Sequence, residues 1–158
     1  MIQALVIVLN LITGSAQALE PGIYTLWFRT SHDAIQAQEI EILNFRRRTN
    51  AYGSFDVKVS TTGGTMRFPE DSQFVQGLYY DGKFTFILPF ANVVDVTGYK
   101  FIGEDKEADE MYKGKVHIFG QGEREAKEGP FGFSMKKGTD GRILKHRADE
   151  AARKNGAR

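Results

Sequence analysis

The sequence predicts an all-β protein: a single antiparallel up-and-down barrel of about eight strands with a short C-terminal helix or tail. Three observations predict this fold class. Apolar and polar residues alternate with period two through most of the chain after residue 20, which is typical of half-buried antiparallel strands. Glycine-containing turns separate these windows, and nothing between them resembles a crossover helix. The strand spacing also suits a sandwich, so both arrangements stay open at this stage.

Residues 1–18 have the pattern of a secretory signal. No charged side chain occurs before Glu20, and the apolar centre spans residues 2–12. That centre is shorter than the roughly 20 residues of a bilayer span but matches the apolar region of a signal. Ala16-Gln17-Ala18 fits the small-residue cut site, which predicts cleavage before Leu19 and a secreted or periplasmic protein. A signal peptide usually has a basic residue near its start, and no Lys or Arg lies near Met1. Two alternatives to a cleaved signal therefore stay open: a buried first strand or helix, and a retained membrane anchor.

The first three strand windows are GIYTLWFR, QEIEILNF and SFDVKVS. Their predicted inward positions are Tyr24, Leu26, Phe28, Ile40, Ile42, Phe55, Val57 and Val59. The opposite positions of the second and third windows carry acids and a lysine, which indicates that this face meets water.

The fourth and fifth windows, SQFVQGLYY and KFTFIL, are joined by Asp81-Gly82. This dipeptide is the clearest hairpin signal in the chain, because a type I′ turn needs positive φ at both central residues. The predicted inward positions are Phe74, Leu78, Tyr80, Phe84, Phe86 and Leu88.

The last strands contain Tyr99 and Phe101, then KGKVHIF, then FGFSMKK. In KGKVHIF, His117 lies with Lys115 on the face opposite the apolar pair, which predicts an ordinary surface histidine. Phe131, Phe133 and Met135 share the inward face of FGFSMKK. The barrel domain is therefore predicted to span residues 19–141.

The basic tail, residues 142–158, is predicted to be partly helical. Ala148, Ala151 and Ala152 favour a helix, Leu144 shares their face, and Asn155-Gly156 is a stop signal. Arg142 to His146 could instead complete a hairpin with the preceding strand.

Composition excludes several classes of function. The formal net charge is +1 both before and after removal of the uncharged signal, so no overall field favours nucleic acid. The chain has no Cys, which rules out disulfides, thiol nucleophiles and a lipid-modified N-terminal cysteine.

Catalytic and metal-binding motifs are absent from the sequence. The nucleophile-elbow, zincin, P-loop and dinucleotide patterns do not occur, and the acidic run 104–110 lacks the calcium-loop pattern. The three histidines lie in separate elements without zinc-ligand spacing. A polar cleft could combine Arg46, Arg47, Tyr112, His117 and Glu123, but nothing selects them. An enzyme stays open, and no catalytic residue, metal or cofactor is predicted.

Two sets of residues are candidate binding sites. The first is the predicted interior aromatic face, which would line a cup for a small apolar or amphipathic ligand; the alternative is that its rings simply fill the core. Its members are Tyr24, Phe28, Phe55, Phe84, Phe86, Tyr99, Phe101, Phe131 and Phe133. The second is Arg46-Arg47-Arg48, which could contact an anion or could be a solvated strand end.

The alternating strands after a signal-like segment resemble the calycin group of lipocalin-like and avidin-like barrels. Gly22-Ile23-Tyr24 stands where lipocalins typically have G-x-W, and Trp27 follows three residues after Tyr24. The resemblance implies a barrel that binds a small ligand in its interior, and it assigns no individual ligand-binding residue.

Three functions follow from these observations. The leading one is an exported, non-catalytic protein that holds a small apolar or amphipathic ligand inside the barrel. The second is a structural or protein-interaction domain that uses exposed aromatics such as Trp27 and Tyr79. The third is a small outer-membrane barrel, opposed by charged residues on the predicted outer face and by strands that look shorter than the 9–11 residues of a tilted span.

Overall fold

The computed structural model describes residues 18–29, 35–48, 52–64, 74–89, 96–106, 111–120 and 126–156. Eight antiparallel strands form a closed barrel in which each strand pairs with the next and the last pairs with the first. The strands are β1 Gly22–Arg29, β2 Ile35–Arg47, β3 Tyr52–Gly64, β4 Phe74–Tyr80, β5 Lys83–Pro89, β6 Val96–Glu104, β7 Tyr112–Gly120 and β8 Ala126–Lys137, followed by helix α1 Gly141–Gly156. The predicted fold class is confirmed, and the barrel replaces the sandwich.

The aromatic face points into the barrel. The inward positions of β1, β5 and β6 are buried, and the residues between them are more exposed, except Thr25 on β1, which the turn before α1 covers. Because directly paired residues of neighbouring strands lie on the same face, the register carries this alternation around the whole barrel. The inverted arrangement that period two allows, with the rings outside, is not the one observed.

Strand β4 presents the opposite face from the one predicted. Tyr79 is buried, whereas Phe74, Leu78 and Tyr80 are exposed, so both their inward assignment and the surface role expected of Tyr79 are wrong. The reason is the two-residue turn, in which Asp81 and Gly82 both have positive φ. That turn pairs Tyr80 with Lys83, and the next rung then pairs Tyr79 with the inward Phe84.

Three inward phenylalanines are each paired directly with a glycine on the neighbouring strand. The pairs are Phe55 with Gly77, Phe84 with Gly103 and Phe133 with Gly114. A Cβ atom added at any of these glycines would overlap the paired ring. The glycines therefore leave the space that the rings occupy, which lets large aromatic side chains pack inside a narrow barrel.

Residues 18–20, just before β1, close one end of the barrel. Leu19 is 1% exposed and belongs to the core. Its neighbours are held by two inward tyrosines: the Tyr24 hydroxyl donates to the Glu20 carbonyl at 2.9 Å, and the Tyr112 hydroxyl donates to the Ala18 carbonyl at 3.0 Å. Burial raises the pKa of both hydroxyls, so both stay protonated donors. Residues 1–17 lie outside the described part, and cleavage before Leu19 stays a prediction.

Helix α1 lies against the outside of the barrel near β2 and β3. Asp140 caps it, because its Oδ1 accepts from the Arg142 amide at 2.7 Å. The hairpin alternative for residues 142–146 is therefore wrong. Ile143 is the buried residue of α1 and Leu144 is 53% exposed, so the predicted apolar face is also wrong.

Buried polar contacts attach α1 and the preceding turn to β1 and β2. Glu39 faces outward from β2 and is 7% exposed because this segment covers it. Arg147 donates to both Glu39 oxygens, at 2.5 and 3.2 Å, and the Thr139 hydroxyl donates at 2.6 Å. The Thr25 hydroxyl donates to the Gly138 carbonyl and accepts from the Asp140 amide.

Several strands are longer than the sequence windows suggested. β2 and β3 have 13 residues each and β8 has 12, so short strands are no argument against a membrane-spanning barrel. The outward positions of β2 and β3 nevertheless carry Glu41, Asp56 and Lys58. No helix among the described residues is long and apolar enough to cross a membrane.

Candidate binding surfaces

The nine predicted interior residues come together in one cluster. Eight of them are buried, and Phe131 is partly buried and packs against the others. Their rings also touch across the barrel: the Phe101 ring centroid lies 5.2 Å from that of Phe28 and 5.3 Å from that of Phe133. At this level the lumen is therefore filled by aromatic rings rather than open. Whether these residues bind a ligand stays a prediction.

The end of the lumen away from Leu19 has a different chemistry. Gln36 and Gln38 pair with Phe28 and Leu26, so their side chains belong to the inward face. Gln38 is fully buried, and its Nε2 donates to the Glu39 carbonyl at 3.0 Å. Two polar amides thus join the apolar lining on β2, at the level of Leu26 and Phe28.

The arginine cluster is divided by the end of β2. Arg46 is exposed and forms an ion pair with Asp56 at 2.7 Å, next to a hydrogen bond from Asn44 to the same carboxylate. Arg48 lies beyond the strand and lines a groove beside Tyr52. The side chain of Arg47 lies outside the described residues. Binding of an anion by the three arginines together stays a prediction.

The outer face of β3, β4 and β5 carries large apolar side chains. Its members are 42–62% exposed. They are Tyr52, Phe74, Leu78, Tyr80 and Ile87. Tyr52 pairs directly with Tyr80 across β3 and β4, so these two rings are neighbours on the surface. We call this set the outer apolar face.

Two grooves flank Leu78 on this face. One, of about 440 Å³, is lined by Tyr52, Tyr80 and Arg48. The other, of about 540 Å³, is lined by Ile87 and Lys100. Both are lined by Gln76 and Leu78, and no carboxylate is among their lining residues. Each groove therefore combines an apolar wall with a single cation.

The polar cleft considered for an enzyme does not form among its described members. Tyr112 points inward at the closed end, whereas His117 lies on the outward face of β7 opposite Lys100. Glu123 lies outside the described residues. Within the part of the chain that the structure describes, no three His, Cys, Asp or Glu side chains cluster as metal ligands.

The hairpin rule would have identified the outer apolar face from the sequence. A two-residue turn at Asp81-Gly82 fixes Tyr80 opposite Lys83, a residue expected to face water. Tyr80 and Leu78 must then face outward as well. The stronger apolar pattern of Phe74, Leu78 and Tyr80 misled the face assignment because both faces of β4 carry aromatic residues.

No family model matches the chain, and no similar curated protein or solved structure is found. The likeness to calycin-type barrels therefore rests on coarse architecture alone, an eight-stranded antiparallel barrel.

Proposed function

We propose that this protein is an exported, non-catalytic binding domain that engages a protein partner through the outer apolar face. The observation that carries the proposal is the exposure of five large apolar side chains on three adjacent strands. Soluble monomers rarely expose contiguous apolar patches of this kind, and large aromatics are enriched where proteins bind one another. Export rests on the signal-like residues 1–18.

The grooves indicate the chemistry of the partner. Leu78 lines both grooves, and Arg48 lines one and Lys100 the other. A complementary segment would place apolar side chains on both sides of Leu78 and acidic side chains near the two cations. Tyr52 and Tyr80 have large, rigid side chains. We therefore expect contacts with these two residues to contribute most of the binding free energy.

Peptide selection tests this proposal. A random peptide library is selected on the wild-type protein and then assayed on a Leu78→Ser/Ile87→Ser variant. We expect peptides with apolar and acidic residues whose binding weakens at least about tenfold in the variant, which is a loss of about 1.4 kcal/mol. An Ile23→Ser variant is the matched control, because Ile23 is similarly exposed on another side of the barrel.

Two outcomes would contradict it. Selected peptides that bind wild type and double variant equally would remove the outer apolar face as the binding surface. A concentration-dependent dimer, seen by sedimentation and lost in the double variant, would assign the face to a second copy of the chain instead.

A second candidate is a small amphipathic ligand inside the barrel. It is favoured by an aromatic lining that is closed at one end by Leu19 and carries Gln36 and Gln38 toward the other. Because the rings contact one another, the ligand would have to lie beyond Phe28 and Tyr99 or displace them.

The interior site is tested by thermal shift and dye displacement with fatty acids. Phe28→Ala should enlarge the site and Gln38→Leu should remove a polar contact, so both variants should change affinity. Equal affinity in the wild type and both variants would exclude the interior. The fluorescence of Trp27 is not a suitable reporter of this site, because Trp27 faces outward toward Asp140.

A further inference from the structure

A groove runs along the outside of β8, between β1 and β7. Its floor is made by Gly132 and Ser134, the small residues on the outward face of β8. Ser134 pairs with Trp27 on one side and with Lys113 on the other, and Gly132 pairs with Lys115. Small side chains in the middle strand and large ones on both neighbours produce a groove of about 460 Å³.

The two walls of the groove differ in chemistry. On the β1 side, Trp27 and Ile35 supply apolar surface, and Ile35 is 53% exposed. Arg29 also lies on this side and pairs with Ile35 across β1 and β2. On the β7 side, Lys113 lines the groove and Lys115 continues the basic row along the strand.

The cations of this groove are not neutralised within the described structure. Among the described residues, no ion pair involves Arg29, Lys113 or Lys115, whereas other surface lysines such as Lys83 and Lys137 do pair with acids. None of the residues that line the groove is acidic, and the Asp140 carboxylate that Trp27 faces is paired with Arg142. In a chain whose formal net charge is only +1, this is a locally positive surface.

We propose that this groove is a binding site for a small organic anion with an apolar body. The body would lie on the floor of Gly132 and Ser134 against Trp27 and Ile35. The carboxylate, phosphate or sulfonate group would contact Arg29 or Lys113 in charge-assisted hydrogen bonds. The volume lies within the range of small-molecule sites. The site lies on the outside of β1, β7 and β8, away from the outer apolar face on β3, β4 and β5.

The only tryptophan of the chain makes the groove directly observable. The probe is 8-anilino-1-naphthalenesulfonate, an aromatic anion whose fluorescence rises in apolar surroundings and which accepts energy from Trp27. Its uncharged analogue is N-phenyl-1-naphthylamine. Octanoate and octyl phosphate then compete with the bound probe, which separates a carboxylate site from a phosphate site.

Gly132→Val is the decisive variant. A Cβ at Gly132 meets no atom within 4 Å, so the groove has open space in which a valine side chain would take up part of the floor. Arg29→Gln/Lys113→Gln removes the two cations. Lys145→Gln is the matched control for loss of a charge, because Lys145 is exposed on α1. Phe101→Leu alters only the interior and controls for a ligand inside the barrel.

We expect energy transfer from Trp27 to the anionic probe, with affinity lowered at least about tenfold in Gly132→Val and in the double variant. The uncharged analogue should bind more weakly than the anion to wild type, and Lys145→Gln and Phe101→Leu should match wild type. Equal affinity of wild type and Gly132→Val would overturn the proposal. So would equal binding of the charged and uncharged probes, or a loss of affinity confined to Phe101→Leu.

Discussion

The ring of Phe55 covers Gly77, its direct cross-strand partner in the barrel interior. We expect Gly77→Ala to lower the free energy of unfolding by about 1–3 kcal/mol, because the added methyl forces the ring out of a packed position. Urea denaturation measures the change. Gly132→Ala is the control: its Cβ meets nothing within 4 Å, so stability should stay within about 0.5 kcal/mol or rise. Equal effects at the two glycines would contradict the packing role of Gly77.

Arg147 is the main attachment of α1 to the barrel. Arg147→Ala leaves the buried Glu39 carboxylate with fewer donors, and we expect a loss of about 1.5–3 kcal/mol. Hydrogen exchange should show faster exchange of the α1 amides. The matched control is Lys154→Ala, which breaks an exposed pair with Glu150 on the same helix and should cost less than about 0.5 kcal/mol. Unchanged exchange in Arg147→Ala would show that Arg147 does not hold α1 against the barrel.

The attachment of α1 depends on pH. Burial opposes ionisation of Glu39, but the hydrogen bonds from Arg147 and Thr139 outweigh it and lower its pKa below the ordinary 4.5. The contribution of the ionised Glu39 carboxylate to the free energy of unfolding is fully present above pH 4.5. It is lost as the pH falls through the lower pKa that Glu39 has in the folded protein. The stability difference between wild type and Glu39→Gln should therefore shrink on acidification from neutral pH. A difference independent of pH would contradict this linkage.

Leu19 contributes to stability although it precedes the first strand. It is 1% exposed within the core, so Leu19→Ala should destabilise the barrel by about 2–5 kcal/mol. Thermal unfolding of the two proteins measures this. Ile23→Ala is the comparison, because Ile23 is 43% exposed and its truncation should cost much less. Similar losses at both positions would mean that Leu19 does not close the barrel end.

The turn between β4 and β5 depends on positive φ. Gly82 has φ of 73°, and a Cβ there meets only Asp105 Oδ2 at an ordinary 3.7 Å, so Gly82→Ala tests conformation without a clash. We expect a loss of about 1–2 kcal/mol in chemical denaturation. Gly141→Ala, at the open start of α1, should be neutral or stabilising. A neutral Gly82→Ala would rule out strain at this turn.

The barrel itself was predictable because period-two patterning acts over many residues at once. Charged residues alternate with the buried Ile40, Ile42, Val57 and Val59. A strand with this pattern buries its apolar face and leaves its charged face in water. The turn at Asp81-Gly82 was predictable for a local reason, since few dipeptides adopt two positive φ values.

The assignment of β4 failed because apolarity alone does not identify a face when both faces carry aromatic residues. Register decides it, and register is a relation between strands rather than a property of one window. Ile143 was missed for a related reason: a helix that packs with a single residue leaves a weak pattern in the sequence.

The groove along β8 was visible in the sequence only in part. Lys113, Lys115 and His117 recur with period two, which places three basic residues on one face of β7. The floor of small residues belongs to β8, and the wall with the tryptophan belongs to β1. Trp27 and Ser134, which pair directly, are over 100 residues apart in the chain. Such a site follows from barrel closure and not from any local motif.

The pairing of the first strand with the last also affects how the protein is made. All other strand pairs join consecutive elements, but β1 waits for β8, and Thr25 accepts its hydrogen bond from Asp140 across 115 positions. Closure of the barrel therefore has to bring the first and last strands together across most of the chain, a long-range pairing that we expect to form slowly.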